Sequence, residues 1–127
     1  MFPTPPTART GQLGEEAAAQ HIAKQGYRIV ARNWRSGRYE IDIVAIHRGT
    51  VHFVEVKTRH SHSLTTPEAA LTPQKCRALR QAASAYLGAC GDHYAGYEIA
   101  FDLAAVEIDG EGRCKVELIP DAIEYGW

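Results

Sequence analysis

Two apolar runs set the pattern of the chain. Ile41 to Ile46 and Val51 to Val56 are rich in β-branched residues, so both are predicted strands. Arg48-Gly49 is the turn signal between them. A two-residue loop there sets Asp42 opposite Glu55 and Glu40 opposite Lys57. Side chains alternate along a strand, so these four project from one face, together with Val44, Ile46, Val51 and Phe53. Ile41, Ile43, Ala45, His52, Val54 and Val56 fall on the other face. Both faces are largely apolar, which suits a central strand pair covered on both sides.

The remaining periodicity predicts helices and strands around that hairpin. Residues 1–10, with Pro3, Pro5 and Pro6, read as a mobile tail before a single domain over residues 11–127. Gln12 to Gln25 reads as a helix stopped by Gly26, with Leu13, Ala17, Ala18, Ile22 and Ala23 as its apolar stripe. Glu15 shares a face with Ala18, Ala19 and Ile22 and is expected to point inward, whereas Glu16 meets solvent. Tyr27 to Asn33 is a predicted strand, and Trp34 to Arg38 a turn. A polar loop follows from Thr58 to Thr66. Thr66-Pro67 and Thr72-Pro73 both read as N-cap plus first-turn proline, the second opening a helix from Pro73 to Leu87 ended by Gly88. Tyr97 to Ile108 and Cys114 to Ile119 are strands joined by the turn Asp109 to Gly112. The order α-β-β-β-α-β-β makes this an α/β chain with a mixed sheet and flanking helices.

Composition changes little: 45% hydrophobic and 23% charged residues over 127 positions describe an ordinary globule. No apolar run has membrane-span length, and the N-terminus lacks a signal peptide's pattern, so no membrane partner is expected. Cys76, Cys90 and Cys114 have no metal or disulfide spacing and read as free thiols of a reducing cytoplasm. The net charge of −1 argues against nucleic acid until its distribution is considered. Residues 24–59 carry +5 and residues 91–127 carry −7, so positive charge gathers around the hairpin. Arg35, Arg38, Arg59, Gln74 and Lys75 are the candidate phosphate contacts, the last two in the first turn of a helix. His60-Ser61-His62 has no third ligand in sequence and is not read as a metal site.

The charged positions of the hairpin carry the candidate chemistry. Carboxylates directly across a strand pair stand roughly 5 Å apart and repel. In a half-buried place that repulsion raises one pKa or demands a cation, and oxygen ligands suit Mg²⁺ or Mn²⁺. Lys57 would contact a phosphate oxygen or help orient water. The competing reading is a salt-bridged hairpin with Lys57 neutralising Glu40 and Glu55. Glu15 is either a further ligand or a first-turn carboxylate favoured by the helix dipole. Asp102 is expected first to pair structurally, with a hairpin arginine as one partner, and alternatively to assist the site.

Beyond these readings, Glu40-Ile41-Asp42 followed by Glu55-Val56-Lys57 resembles the PD-(D/E)XK nuclease signature. With Gly14-Glu15, Gly26-Tyr27, Asn33, Phe53-Val54-Glu55-Val56-Lys57-Thr58-Arg59, Lys75 and Phe101-Asp102, the chain resembles the YraN family of small bacterial proteins. That family is similar to archaeal Holliday-junction resolvases. Tyr39 and Ala100 depart from it, standing where Gly and a basic residue are usual. The resemblance implies a restriction-endonuclease-like fold, a divalent metal and a DNA substrate, including branched DNA. It implies catalytic roles for Asp42, Glu55 and Lys57 with Glu15 in support, the ion being held by Asp42, Glu55 and the Val56 carbonyl. A resolvase needs two sites, which a two-fold homodimer would supply. The expected function is a metal-dependent endonuclease. The alternatives are a nucleic-acid-binding module with little catalysis, and an interaction protein docking through its acidic C-terminal third.

Overall fold

The structure, a computed structural model, describes residues 6–62 and 66–123. Helix α1 (Pro6–Lys24) precedes three strands, β1 (Arg28–Ser36), β2 (Tyr39–His47) and β3 (Thr50–His60). A short 3-10 helix (Pro67–Ala70), α2 (Pro73–Ala89), β4 (Glu98–Ile108) and β5 (Cys114–Ile119) complete the order, which is the expected one. The strands form one sheet in the order β1-β2-β3-β4-β5. All neighbours are antiparallel except β3 and β4, which are parallel and joined by the α2 crossover.

The two helices cover opposite faces. Leu79, Ala82, Ala83 and Tyr86 of α2 pack on Val44, Val51, Phe53 and Phe101. Ala18, Ala19 and Ile22 of α1 pack on Ile43, Ala45, Val54, Ala104 and Val106. Burial of both faces explains why β2, β3 and β4 lack a polar side. The hairpin register is the one a two-residue loop implies, with His47 opposite Thr50 and Ile46 opposite Val51. Arg48 and Gly49 both take positive φ, at 50° and 76°.

Several boundaries differ from expectation. Helix α1 starts at Pro6, a residue suited to a first turn, so its beginning lies within the stretch read as a tail; residues 1–5 fall outside the described residues. Leu13 is not in the apolar stripe but 46% exposed, and Ala23 is exposed as well. Trp34 to Ser36 continue β1 and do not form a turn. Asn33 makes this possible: its φ of 50° reverses the alternation. Arg32 faces α1, where it bonds Glu16 at 2.9 Å, while Trp34 turns to the other face and meets the Tyr86 ring edge-on at 5.3 Å. Across the ladder, Ile41 sits opposite Trp34 and joins the α2 cluster, not the Ile43 face expected of it. The loop expected from Thr58 begins later, because β3 runs to His60. Helix α2 extends past Gly88 to Ala89.

Asp102 is fully buried and paired, as expected, but with a histidine. His52 Nδ1 lies 2.6 Å from its carboxylate, and the Asp121 N–H donates to it at 3.0 Å.

Candidate functional site

The site begins where two strands part. The β2–β3 ladder ends at Ile43 opposite Val54. Beyond it β2 stays with β1 through Tyr39, and β3 stays with β4 through His60. Asp42 therefore does not stand opposite Glu55 in a ladder; it sits in the fork. Its carboxylate accepts a hydrogen bond from the Val56 N–H at 2.8 Å, standing in for the strand that no longer pairs with Val56 on that side. In a strand the N–H and C=O of one residue point to the same side, so the Val56 carbonyl also faces the fork.

Asp42 and Glu55 line a cavity of about 280 Å³, together with Arg38, Tyr39, Glu40, Lys75, Ala78, Leu79 and Gln81. Burial pushes the Asp42 carboxyl up to about 7, and the Glu55 charge adds to this. The Val56 N–H works in the opposite direction, and Glu15 and Glu40 raise it further. The ladder pairing of Glu40 with Lys57 does not form. Glu40 lies opposite Arg35 in β1, and their ion pair measures 3.3 Å.

The cation on Glu55 is Lys75 of α2, whose Nζ lies 3.4 Å from Oε1. Lys57 is exposed and lines two neighbouring cavities. One holds Glu15, Val56, Thr58 and Arg59; the other lies under the 3-10 helix. Glu15 is thus turned toward the sheet, while Glu16 is exposed and bonded to Arg32 and Gln20. Gly14 brings Glu15 there. A Cβ at position 14 would lie 1.8 Å from Thr58 Oγ1, so α1 approaches β3 more closely than any side chain allows.

Of the expected phosphate contacts, Arg38 is in the Asp42 cavity, with its guanidinium 5.5 Å from the Tyr39 ring centre. Arg35 is exposed beside Glu40. Arg59 pairs with Glu107 at 3.0 Å and, among the described residues, its buried Nε and Nη1 meet no hydrogen-bond partner. Gln74 is exposed on the first turn of α2 and is not part of the Asp42 cavity lining. Trp34 is partly buried, packing edge-on against Tyr86 at the margin of the core cluster. Gln81 and Ala78 went unnoticed in the sequence. The usable signal was helical spacing from Lys75, since positions 75, 78 and 81 share one face of α2.

Among the described residues, no three His, Cys, Asp or Glu side chains converge into a ready metal cage, His60 and His62 included. Two carboxylates and a backbone carbonyl at the fork fit another kind of binding. Mg²⁺ keeps several of its waters and takes only one or two carboxylates. A half-buried acid with three acids around it is also an environment that a cation relieves.

A family model described as uncharacterised protein family UPF0102 matches residues 14–106. A UPF0102 protein of Nitratidesulfovibrio vulgaris (strain DP4) is 45% identical over 117 residues, covering 91% of this chain and 84% of the relative. One from Moorella thermoacetica is 44% identical over 115 residues (90% and 94%), and one from Symbiobacterium thermophilum 42% over 114 (90% and 95%).

Proposed function

This chain belongs to the UPF0102 family, the YraN-type proteins its motifs resemble, and from its forked-strand site we propose that it is a metal-dependent endonuclease acting on DNA. The observation that carries the reading is Asp42: a half-buried carboxylate, raised to about 7, held by a strand N–H at 2.8 Å and lining one cavity with Glu55. A purely structural acid would be given a cationic partner there.

Asp42, Glu55 and the Val56 carbonyl would hold Mg²⁺ or Mn²⁺. The bound ion would supply Lewis acidity toward a phosphodiester and a water of lowered pKa. The chain's own residues do the rest. The Val56 N–H fixes Asp42 Oδ2 and does not engage Oδ1, which would be the oxygen offered to an ion. Burial of Asp42 strengthens every charge interaction made at the fork. Arg38 and Lys75 bring positive charge to the cavity wall, where a phosphate would lie. Lys57 and Glu15 stand together in the adjoining cavity, placing a donor and an acceptor beside the fork for orienting water or a phosphate oxygen. The net +5 of residues 24–59 draws a polyanion to this side.

Nicking of branched and linear DNA with Mg²⁺ or Mn²⁺ tests this. Asp42→Ala and Lys57→Ala are each expected to lose most activity, and equal activity in wild type and both variants would remove the catalytic assignment. The placement of Lys57 outside the Asp42 cavity favours one second reading, a DNA-binding module with little catalysis. Salt-sensitive DNA binding without cleavage under any divalent ion would support that one.

A further inference from the structure

The cavity that would take a divalent ion already contains a cation. Lys75 Nζ lies 3.4 Å from Glu55 Oε1, and both residues line the cavity with Asp42. The other acids of that cavity are otherwise engaged. Glu40 pairs with Arg35, and Asp42 accepts the Val56 N–H. Glu55 is therefore the acid whose partner can be exchanged.

The backbone under Lys75 is fixed. Thr72 caps α2 by accepting the Lys75 N–H at 3.1 Å, and Pro73 opens the first turn. The lysine side chain is 61% exposed, so it can leave Glu55 without any rearrangement of the helix. An ammonium and a divalent ion cannot share one carboxylate without repelling each other. Once displaced, the ammonium remains at the cavity wall as an uncompensated positive charge, and a phosphate entering the cavity would neutralise it.

We propose that Lys75 is the resident counter-ion of Glu55, displaced when a divalent ion takes that carboxylate and then bound to a substrate phosphate. Metal and phosphodiester thereby bind cooperatively, each favouring the other by the same factor. The proposal rests on the metal-site reading above.

Mn²⁺ uptake measured by electron paramagnetic resonance separates the two. Wild type, Lys75→Met, Arg77→Met and Asp42→Ala are titrated with Mn²⁺, with and without a short DNA duplex carrying non-hydrolysable linkages. Without DNA, Lys75→Met is expected to bind Mn²⁺ roughly two- to five-fold more tightly, the range of an exposed ion pair. Arg77→Met removes the same charge from an exposed position of the same helix and is expected to match wild type. The duplex should tighten Mn²⁺ binding in wild type and do so less in Lys75→Met. Unchanged or weaker Mn²⁺ binding in Lys75→Met, or an equal gain in Arg77→Met, overturns the counter-ion role while Asp42-dependent uptake in wild type keeps the metal site. No uptake by wild type, or uptake indifferent to Asp42→Ala, overturns both.

Discussion

At Asp42, burial and neighbouring acids act together against the charged form, and the folded protein holds this proton more tightly than the unfolded chain does. The ordinary value is 3.8 and the folded one about 7, so stability falls as pH rises through that interval and is level above it. In chelator, Asp42→Asn is expected to be more stable than wild type by roughly 2–4 kcal/mol above pH 7, with the gain vanishing near pH 4. Urea unfolding across that range measures it, and a gain independent of pH would remove Asp42 as its source. Adding Mn²⁺ should raise the melting temperature of wild type and leave Asp42→Asn unchanged, since a ligand stabilises only the state that binds it. The opposite situation holds at Asp102, a fully buried carboxylate that does have a partner. His52→Leu leaves it buried and unpaired from that side, and the expected loss is about 3–5 kcal/mol in denaturant unfolding.

At the scale of elements, two small residues decide where larger ones point. Asn33, at φ 50°, turns β1 so that Arg32 faces α1 while Trp34 faces α2. A β-branched residue tolerates that conformation poorly. Asn33→Val is expected to cost about 1–3 kcal/mol and Asn33→Gly much less, as thermal unfolding would register. Gly14 does for α1 what Asn33 does for β1, by removing the side chain that would hold the helix off Thr58. Gly14→Ala should destabilise by about 1–3 kcal/mol and reduce nicking, because Glu15 moves with the helix. Thr58→Ala in the same chain should recover part of both, and failure to recover either would separate the helix position from the effect.

For the molecule as a whole, the net charge is a poor guide and its distribution a useful one. Several hairpin cations are already paired, Arg32 with Glu16, Arg35 with Glu40 and Arg59 with Glu107. The first two are surface pairs, which contribute only ~0–1 kcal/mol, so a phosphate backbone can still compete for them. DNA binding should therefore weaken steeply with salt. Neutralising Arg38 and Lys75 together should lower the log–log slope by roughly 2, at about 0.9 for each phosphate whose charge is no longer matched. An unchanged slope would place the backbone elsewhere on the surface.

The element order and the hairpin register could be read without coordinates, because they rest on local quantities: β-branched runs, a two-residue turn, capping threonines before prolines. The candidacy of Asp42 and Glu55 was legible for the same reason, since charge on an apolar strand is costly wherever the strand packs. What interrupts alternation was not legible. A left-handed Asn33 and the parting of β2 from β3 depend on which neighbours each strand keeps, and no periodicity records that choice. Opposition across a ladder became a carboxylate in a fork, bonded to Val56. Lys75, 20 positions from Glu55, reached it only because the α2 crossover lays the helix over β2 and β3. Sequence alone thus determined which residues carry the charge and which elements bear them. The tertiary fold decided which charges meet, because pairings between distant segments arise only when the strands and helices pack.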